Sequence, residues 1–557
     1  MEITLINPLS HAELIVNPIG LQIIEKSCKD AEIKTKIVDL SNDFLRENRM
    51  YDSDTVSWLK SKIDKIDSTI VGISVMNASF PWVIKIAEIL KQNNPEVKII
   101  LGGPHITALK EKIFSQTDNL IEFLVVYEGE VVIQELICFI SEPSKKMLPN
   151  NVYWYNDGII KYSEIKYSPA SFETVKDTDF NNYLDADTVG VEVGRGCPFR
   201  CYYCSSHEIN GGRIEYRNVN EILKESQKIY ELLHTHNNEK KLVAFTHDNF
   251  LSNRAKFKEF VNLKKKLGYN FTYACLGRID AVDDIVIDEL MDSRCVSVFF
   301  GIETGSQRMQ TIIRKNLRLD KKIHEKVKKL IFNNMVVEMN FIIGFPEETY
   351  KDFLSTIELA SELSSIGYKA IVDYSYITPE PGSDLEKKTK KENYLMVKGS
   401  KFYSDLKNAE INPETLNVEC CNHLYTIKNN DYDIINIEKA TKKYFELLRL
   451  FFVSVKIMHD LIKSPYKDIF EALKVKKCLV SFLEDFILKN EKTLHNIGKE
   501  LILYEICRYK KNKDMLNSGY VEFEYPIQDI FKEIILYNSE IKDVLDYERN
   551  KTTVIFR

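Results

Sequence analysis

Between residue 1 and about residue 140, short apolar runs at 3–7, 35–40, 69–75, 97–101 and 123–126 alternate with amphipathic stretches at 19–28, 82–90 and 131–140. Strands separated by helices pair in parallel and need helical cover on both faces, so this pattern predicts a doubly wound, Rossmann-like domain over 1–145. The stretch 82–90 shows the logic: Trp82, Val83, Ile86, Ala87 and Leu90 share one face, and Ser79 is placed to cap its start. A second alternation follows, with strands at 191–193, 243–245, 271–275, 296–303, 336–343 and 370–377 and helices such as 220–233 and 322–333. Six strand–helix units predict a partial (β/α)6 TIM barrel over 187–390, short of the eight of a complete one. Residues 146–186 read as a linker with a hairpin around Trp154-Tyr155-Asn156-Asp157-Gly158.

After residue 390 long amphipathic segments take over, at 443–458, 469–488 and 494–508, and then an extended piece at 520–525 and a helix at 527–536. Residues 391–557 are therefore expected to form a mainly helical domain that sets substrate choice. With 557 residues, several such units are needed. The formal charge of -6 disfavours a broad phosphate-binding face, so no nucleic-acid partner is expected. No segment approaches the roughly 18 apolar residues of a membrane span, and the N-terminus lacks the charge pattern of a signal peptide, which together point to a cytoplasmic protein.

Ligands of doubly wound sheets sit beyond the carboxyl ends of the strands. Those ends read Asn7-Pro8-Leu9-Ser10, Ser74-Val75-Met76-Asn77, Leu101-Gly102-Gly103-Pro104-His105 and Tyr127-Glu128-Gly129-Glu130. Glycines at 102 and 103 suit either the close approach of a bulky ligand or a tight strand-to-helix turn.

Eight of the eleven cysteines are scattered, and Cys420-Cys421 is expected to be inert, since adjacent cysteines cannot readily bridge each other. Cys197, Cys201 and Cys204 differ, because three thiols within eight residues directly after a strand ask for a metal. Zinc completed by His207 is one reading. An iron–sulfur cluster is the other, favoured by the position on a barrel loop at the carboxyl end of the first strand; three thiolates on a cubane leave one iron open to an exogenous ligand.

The run Cys197-Pro198-Phe199-Arg200-Cys201-Tyr202-Tyr203-Cys204 resembles the signature of the radical SAM superfamily. The resemblance implies a [4Fe–4S] cluster on Cys197, Cys201 and Cys204, S-adenosyl-L-methionine (SAM) chelated at the free iron, and a 5′-deoxyadenosyl radical that abstracts hydrogen. It places Tyr203 near the adenine. Gly301-Ile302-Glu303-Thr304-Gly305-Ser306 resembles the family's fourth-strand motif, with Glu303 holding the ribose or methionine end; the alternative is an exposed acid starting a helix. Asn340-Phe341-Ile342-Ile343-Gly344-Phe345-Pro346 resembles the fifth-strand adenine motif, with Ile342 and Ile343 at the SAM and with Asn340 where the family has glycine. The second strand ends Thr246-His247-Asp248-Asn249 instead of the glycine-rich SAM amine motif. Asp248 is a candidate for that contact, or else a helix cap.

A Rossmann-like domain directly before such a barrel resembles the cobalamin-binding class of radical SAM enzymes, over residues 1–390. By that resemblance Ser10, Ser74, Asn77, Gly102, Gly103 and Gly129 cradle the corrin. The histidine motif by which many cobalamin domains ligate cobalt is absent, although His11 lies nearby. The implied activity is methylation of an unactivated carbon of a peptide or natural product, with methylcobalamin as donor and flavodoxin or ferredoxin as electron source. A radical rearrangement or ring formation without methyl transfer is the alternative. A cobalamin or redox sensor is less favoured, because a sensor has no need of Glu303 and the 340–347 motif.

Overall fold

The computed structural model describes residues 2–10, 14–169, 172, 178–186, 188–235, 242–367, 369–418, 420–450, 467, 469–470 and 479–489. The chain divides into two units, Met1–Leu276 with Thr378–Ile427, and Gly277–Ile377 with Lys428–Arg557.

The first unit opens with β1 (Glu2–Asn7), α1 (Ile19–Asp30), β2 (Lys34–Asp39), α2 (Leu40–Arg46), α3 (Thr55–Ile63), β3 (Ile70–Ser74), α4 (Phe80–Asn93), β4 (Lys98–Gly102), α5 (Pro104–Leu109), α6 (Lys112–Gln116), β5 (Phe123–Val125) and α7 (Ile133–Ser141). A hairpin of β6 (Val152–Asn156) and β7 (Ile159–Tyr162) follows. The seven strands form one sheet of order β2-β1-β3-β4-β5-β6-β7, parallel through β5 and antiparallel after it. Strand order reverses between β1 and β3, which is where a sheet of this kind opens a crevice. Asp157 and Gly158 both take positive φ (51° and 80°), as a two-residue turn matched to strand twist requires, so the hairpin expected within the linker extends the sheet itself.

Side chains alternate across β1 as strand geometry dictates: Ile3 and Leu5 belong to one apolar layer and Ile6 to the other. The α4 face predicted from its spacing is buried throughout, with Trp82 only 1% exposed. Ser79 does not cap α4, because a 3₁₀ turn over Asn77–Ser79 runs straight into the helix and puts Ser79 in helical φ/ψ; its hydroxyl closes on Met76 instead, accepting from the Met76 N–H (3.0 Å) and donating to the Met76 carbonyl (2.9 Å).

This unit continues with β8 (Thr188–Glu192), β9 (Gly194–Arg195), α8 (Ser206–Ile209), β10 (Glu215–Tyr216), α9 (Val219–Thr235), β11 (Leu242–Thr246), α10 (Arg254–Leu267) and β12 (Tyr273–Gly277). β8, β11 and β12 are parallel neighbours, β11 between the other two. The join of β8 to the N-terminal sheet region is bonded as well as packed: the Asn17 side chain accepts from the Gly190 N–H (2.7 Å) and donates to the Gly190 carbonyl (3.3 Å), and a Cβ on Gly190 would lie 2.5 Å from Ile19.

The second unit carries α11 (Asp284–Asp292), β13 (Cys295–Glu303), α12 (Gln307–Ile312), α13 (Lys321–Phe332), β14 (Val336–Ile343), α14 (Tyr350–Ser364) and β15 (Ala370–Tyr376), with β14 parallel to both β13 and β15. The chain then returns to the first unit as α15 (Asp384–Lys388), β16 (Tyr394–Met396), α16 (Lys401–Asn408) and β17 (Tyr425–Ile427), β16 and β17 being antiparallel. Strands therefore do not stop at 390. Phe402, Tyr403, Leu406, Cys420, Cys421 and Leu424 are buried in the same layer as Trp82, so residues 394–427 complete the core of the N-terminal sheet rather than opening a helical domain. Burial also pushes the Cys421 thiol well above its ordinary value, in keeping with an inert pair.

In the second unit α17 (Ile434–Leu450) packs on β15 and α14: Phe445 lies 4.6 Å from the Tyr374 ring, and Tyr444 meets the Ser361 hydroxyl at 2.9 Å. A further helix, α18, spans Leu479–Lys489. The expected helices at 494–508 and 527–536 and the strand at 520–525 lie outside the described residues, as do most of 451–478. Among the described residues no helix is long and apolar enough to cross a membrane.

Asn17→Ala would leave the buried Gly190 N–H and carbonyl without their side-chain partner, a loss of about 1–3 kcal/mol. The expected result is an earlier first urea transition, read by tryptophan fluorescence.

Candidate functional site

The cysteine loop leaves β8 through two glycines that the backbone demands. A Cβ on Gly194 would lie 2.5 Å from the Glu215 carbonyl, and one on Gly196 (φ 84°) would lie 2.0 Å from the Arg213 carbonyl, because the loop crosses hard against the 213–216 segment paired with β9. Cys197 and Cys201 are half-buried and Cys204 is exposed. The Cys204 N–H donates to the Cys201 carbonyl (3.2 Å), and the Ser206 N–H points at the Cys204 sulfur (3.5 Å). Among the described residues no three His, Cys, Asp or Glu side chains are drawn together at metal-binding distance. The His207 ring lies over Gly212, where a Cβ would come within 2.5 Å of its Cε1. Tyr203 is half-buried beside Cys204, whereas Tyr202 is buried.

Asp248 proves not to be a helix cap. It accepts a short hydrogen bond from the Ser206 hydroxyl, which brings a carboxylate from the end of β11 to the cysteine loop. Its neighbour His247 is buried, stacks on Tyr216 at 5.2 Å and accepts from the Asn249 N–H (2.9 Å); burial holds its imidazole below the ordinary value, so it is neutral.

In the second unit, Glu303 is buried and is not the exposed helix-starting acid of the alternative reading. Register between β13 and β14 slips after Gly301, leaving Ile302 as an extra residue and Glu303 at φ 71°. The bulge turns the carboxylate back over Gly301, whose Cβ would sit 2.1 Å from Oε1, and onto Lys315 Nζ at 2.9 Å. Glu303 pairs in register with Phe341, so it stands beside the Asn340–Ile343 strand end. Ile342 is half-buried, but Ile343 is fully buried in the core, which leaves only its backbone for a ligand.

The loops after β13 and β14 are tied to each other at Asp352, which accepts from Ser306 Oγ (2.5 Å), Arg308 Nη2 (2.5 Å), Thr349 Oγ1 (2.6 Å) and the Thr349 N–H (3.0 Å); these donors hold the carboxyl well below its usual range. Glu348 does the corresponding job for Gly344 (φ 88°): the Gly344 N–H donates to its carboxylate at 2.7 Å and Tyr432 adds a short hydroxyl bond. Its other oxygen is buried with no hydrogen-bond partner among the described residues, and full burial lifts the carboxyl to about 7.

The N-terminal sheet holds a cavity of about 270 Å³ on its carboxyl side, floored by Leu5, Gly72 and Ile100 and walled by α1. Of the expected corrin residues, Ser74, Gly102, Gly103 and Gly129 line it; Ser10 and Asn77 do not. Gly103 takes φ 108°, and its Cβ would press to 2.8 Å on the Val75 carbonyl, which forces glycine there. The Ser10 hydroxyl faces Ser41 at 3.2 Å, and Asn77 bridges Glu380 (3.4 Å) and the His423 N–H (3.3 Å). His11 lies outside the described residues.

Sequence reasoning missed the centre of the cavity rim. Arg195 pairs bidentately with Glu192 (2.7 and 2.9 Å) and reaches Glu128 at 3.0 Å and Glu130 at 2.7 Å. Only its place two residues before Cys197 could have flagged it. Lys315, Glu348 and Asp352 carried no motif signal at all.

Comparison with known proteins identifies both halves of the chain by family. Residues 8–137 match the B12 binding domain family and residues 191–360 the radical SAM superfamily. An uncharacterised methyltransferase of Pyrococcus horikoshii is 25% identical over 397 residues, covering 70% of this chain and 82% of that protein. The anaerobic magnesium-protoporphyrin IX monomethyl ester cyclase of Rubrivivax gelatinosus is 23% identical, over 59% of each chain. Among solved structures, the cobalamin-dependent S-adenosylmethionine radical enzyme OxsB superposes with a TM-score of 0.64 at 12% identity, covering 98% of this chain and 84% of its own. The radical S-adenosylmethionine methyltransferase TsrM from Kitasatospora setae superposes with a TM-score of 0.55 at 15% identity, covering 69% and 73%. The chain thus pairs a B12-binding domain with a radical SAM domain on the α/β fold of the cobalamin-dependent radical SAM enzymes.

Proposed function

We propose that the protein is a cobalamin-dependent radical SAM methyltransferase acting on an unactivated carbon of a peptide or other natural product. The observation that carries this reading is the glycine-lined cavity at the carboxyl edge of the B12-binding sheet, in the same unit as the cysteine loop and sharing Arg195 with it. A cavity lined by Gly20, Gly72, Gly102, Gly103 and Gly129 carries no side chain at those positions, which on this reading leaves the sheet edge open to a large ligand. Cys197, Cys201 and Cys204 would hold the cluster on the loop that Gly194 and Gly196 shape.

When bound, the cluster and SAM supply a carbon-centred radical, and cobalamin supplies the methyl carrier. The chain's own residues bind and orient. On this reading Asp248, bonded to Ser206 of the cysteine loop, would accept from the SAM amine in place of the glycine-rich motif. On this reading Glu303, held by Lys315, would meet the ribose or methionine end, and the turn at Gly344 that Glu348 holds would end the strand that meets the adenine. Tyr203 offers a half-buried ring for the adenine. The electron donor on this reading is a flavodoxin or ferredoxin. Ring formation without methyl transfer is a second reading, supported by the likeness to the cyclase of Rubrivivax gelatinosus.

Cys201→Ala is expected to abolish 5′-deoxyadenosine formation from SAM in the reduced, reconstituted protein while the fold stays soluble; retained cleavage overturns the cluster assignment. Gly103→Val is expected to lose bound hydroxocobalamin while keeping its iron, and unchanged corrin content contradicts the cavity assignment. Because the Glu348 carboxyl is raised, its contribution to stability is complete below the ordinary carboxyl range and is lost as pH rises through about 7. Glu348→Gln should flatten the stability profile between about pH 5 and 8, read as the thermal midpoint against pH; an unaltered profile places the titration elsewhere.

A further inference from the structure

Arg195 stands in β9 immediately before Gly196 and Cys197, yet its side chain is spent on the corrin-side loop. It is 14% exposed and faces Glu192 at 13%, Glu128 at 8% and Glu130 at 6%. One guanidinium among three largely buried carboxylates is a planar fork that a single ammonium cannot reproduce, because Nε and Nη2 hold Glu192 bidentately while Nη1 forms the ion pairs with Glu128 and Glu130 across the gap.

From Glu128 the bonded chain runs on into the cavity wall. Glu128 also accepts from the Tyr167 hydroxyl (2.8 Å), and the Tyr167 ring packs edge-on against Tyr127 at 5.5 Å. Tyr127 sits at φ 64°, a strained value for a tyrosine, and is fixed there by its N–H donating to Thr107 Oγ1 (2.8 Å). Thr107 in turn donates to the Gly103 carbonyl (3.1 Å), the glycine that shapes the cavity. Glu130 is anchored on the other side, its carbonyl accepting from Ser27 of α1 (3.1 Å). The path Gly103–Thr107–Tyr127–Glu128–Arg195–Cys197 is thus a continuous run of covalent links, hydrogen bonds and one ion pair, Arg195–Glu128, within one unit.

We infer that Arg195 is a positioning residue that couples the two cofactor loops, so that the conformation the cysteine loop takes with its cluster in place is also the conformation in which the Tyr127–Glu130 loop best receives the corrin. The inference rests on the cobalamin reading above. Arg195 acts through Glu128 and Glu130 and need not touch either cofactor. Coupling of this kind is reciprocal: a loaded cluster tightens corrin binding by the same factor as bound corrin tightens cluster retention.

The test is hydroxocobalamin affinity, measured by tryptophan quenching on the full chain under anaerobic conditions, with and without the reconstituted cluster. The wild type is expected to bind corrin about tenfold more tightly with the cluster loaded, within the usual span of coupling between sites. Arg195→Lys keeps the charge and loses the fork, and is expected to bring that ratio close to one while iron content and the iron–sulfur absorbance remain. Glu128→Gln removes one arm from the corrin side, preserves the cysteine loop, and is expected to reduce the ratio in the same direction. A purely structural arginine would weaken corrin binding equally in both states and leave the ratio unchanged, which overturns the coupling and spares the cobalamin reading. A wild type that binds no corrin in either state overturns both.

Discussion

The site depends on a guanidinium held among three carboxylates. A buried arginine with three buried acids is costly to desolvate and is sustained only by close, directional pairing, and Arg195 has that pairing from two separate segments of chain. The electrostatic demand fixes where the Tyr127–Glu130 loop lies with respect to β8. It therefore fixes both the rim of the sheet cavity and the start of the cysteine loop. Glycines do the remaining shaping, Gly194 and Gly196 below the cysteines and Gly103 beside Val75, each at a point where a Cβ would collide with backbone.

A different economy operates in the second unit. There the strand ends that resemble SAM-binding motifs are held by acids that point inward. Glu303 is folded back on Lys315 by a bulge, Glu348 ties Gly344, and Asp352 gathers Ser306, Arg308 and Thr349. Such carboxylates rigidify loops that would otherwise be free at the carboxyl edge of a parallel sheet, and rigid loops are what a pre-organised ligand site requires.

Much of this was legible in the sequence, for identifiable reasons. Strand and helix periodicities depend on near neighbours, so the alternating regions and even the bounds of β14 (Val336–Ile343) could be read directly, as could the cysteine loop, whose chemistry is contiguous. What could not be read depends on distant residues. Nothing local to Phe402, Tyr403 or Leu424 says that they share a buried layer with Trp82, so the pattern alone reads residues 394–427 as the start of a helical domain. Ser79 looked like a cap because its type favours capping, and a 3₁₀ turn in front of α4 overrode that preference. Ser10 and Asn77 stand at strand ends as expected yet spend their side chains on Ser41 and on Glu380 and His423, and the periodicity of β1 and β3 carries no information about those partners.

The most direct test of the account is anaerobic reconstitution with iron, sulfide and hydroxocobalamin, then reduction with SAM and quantitation of 5′-deoxyadenosine, S-adenosylhomocysteine and bound corrin in one sample. The account predicts deoxyadenosine with corrin retained, and S-adenosylhomocysteine alongside it once a methyl acceptor is supplied. A protein that retained zinc at the cysteine loop, showed no iron–sulfur spectrum and produced no deoxyadenosine would contradict it.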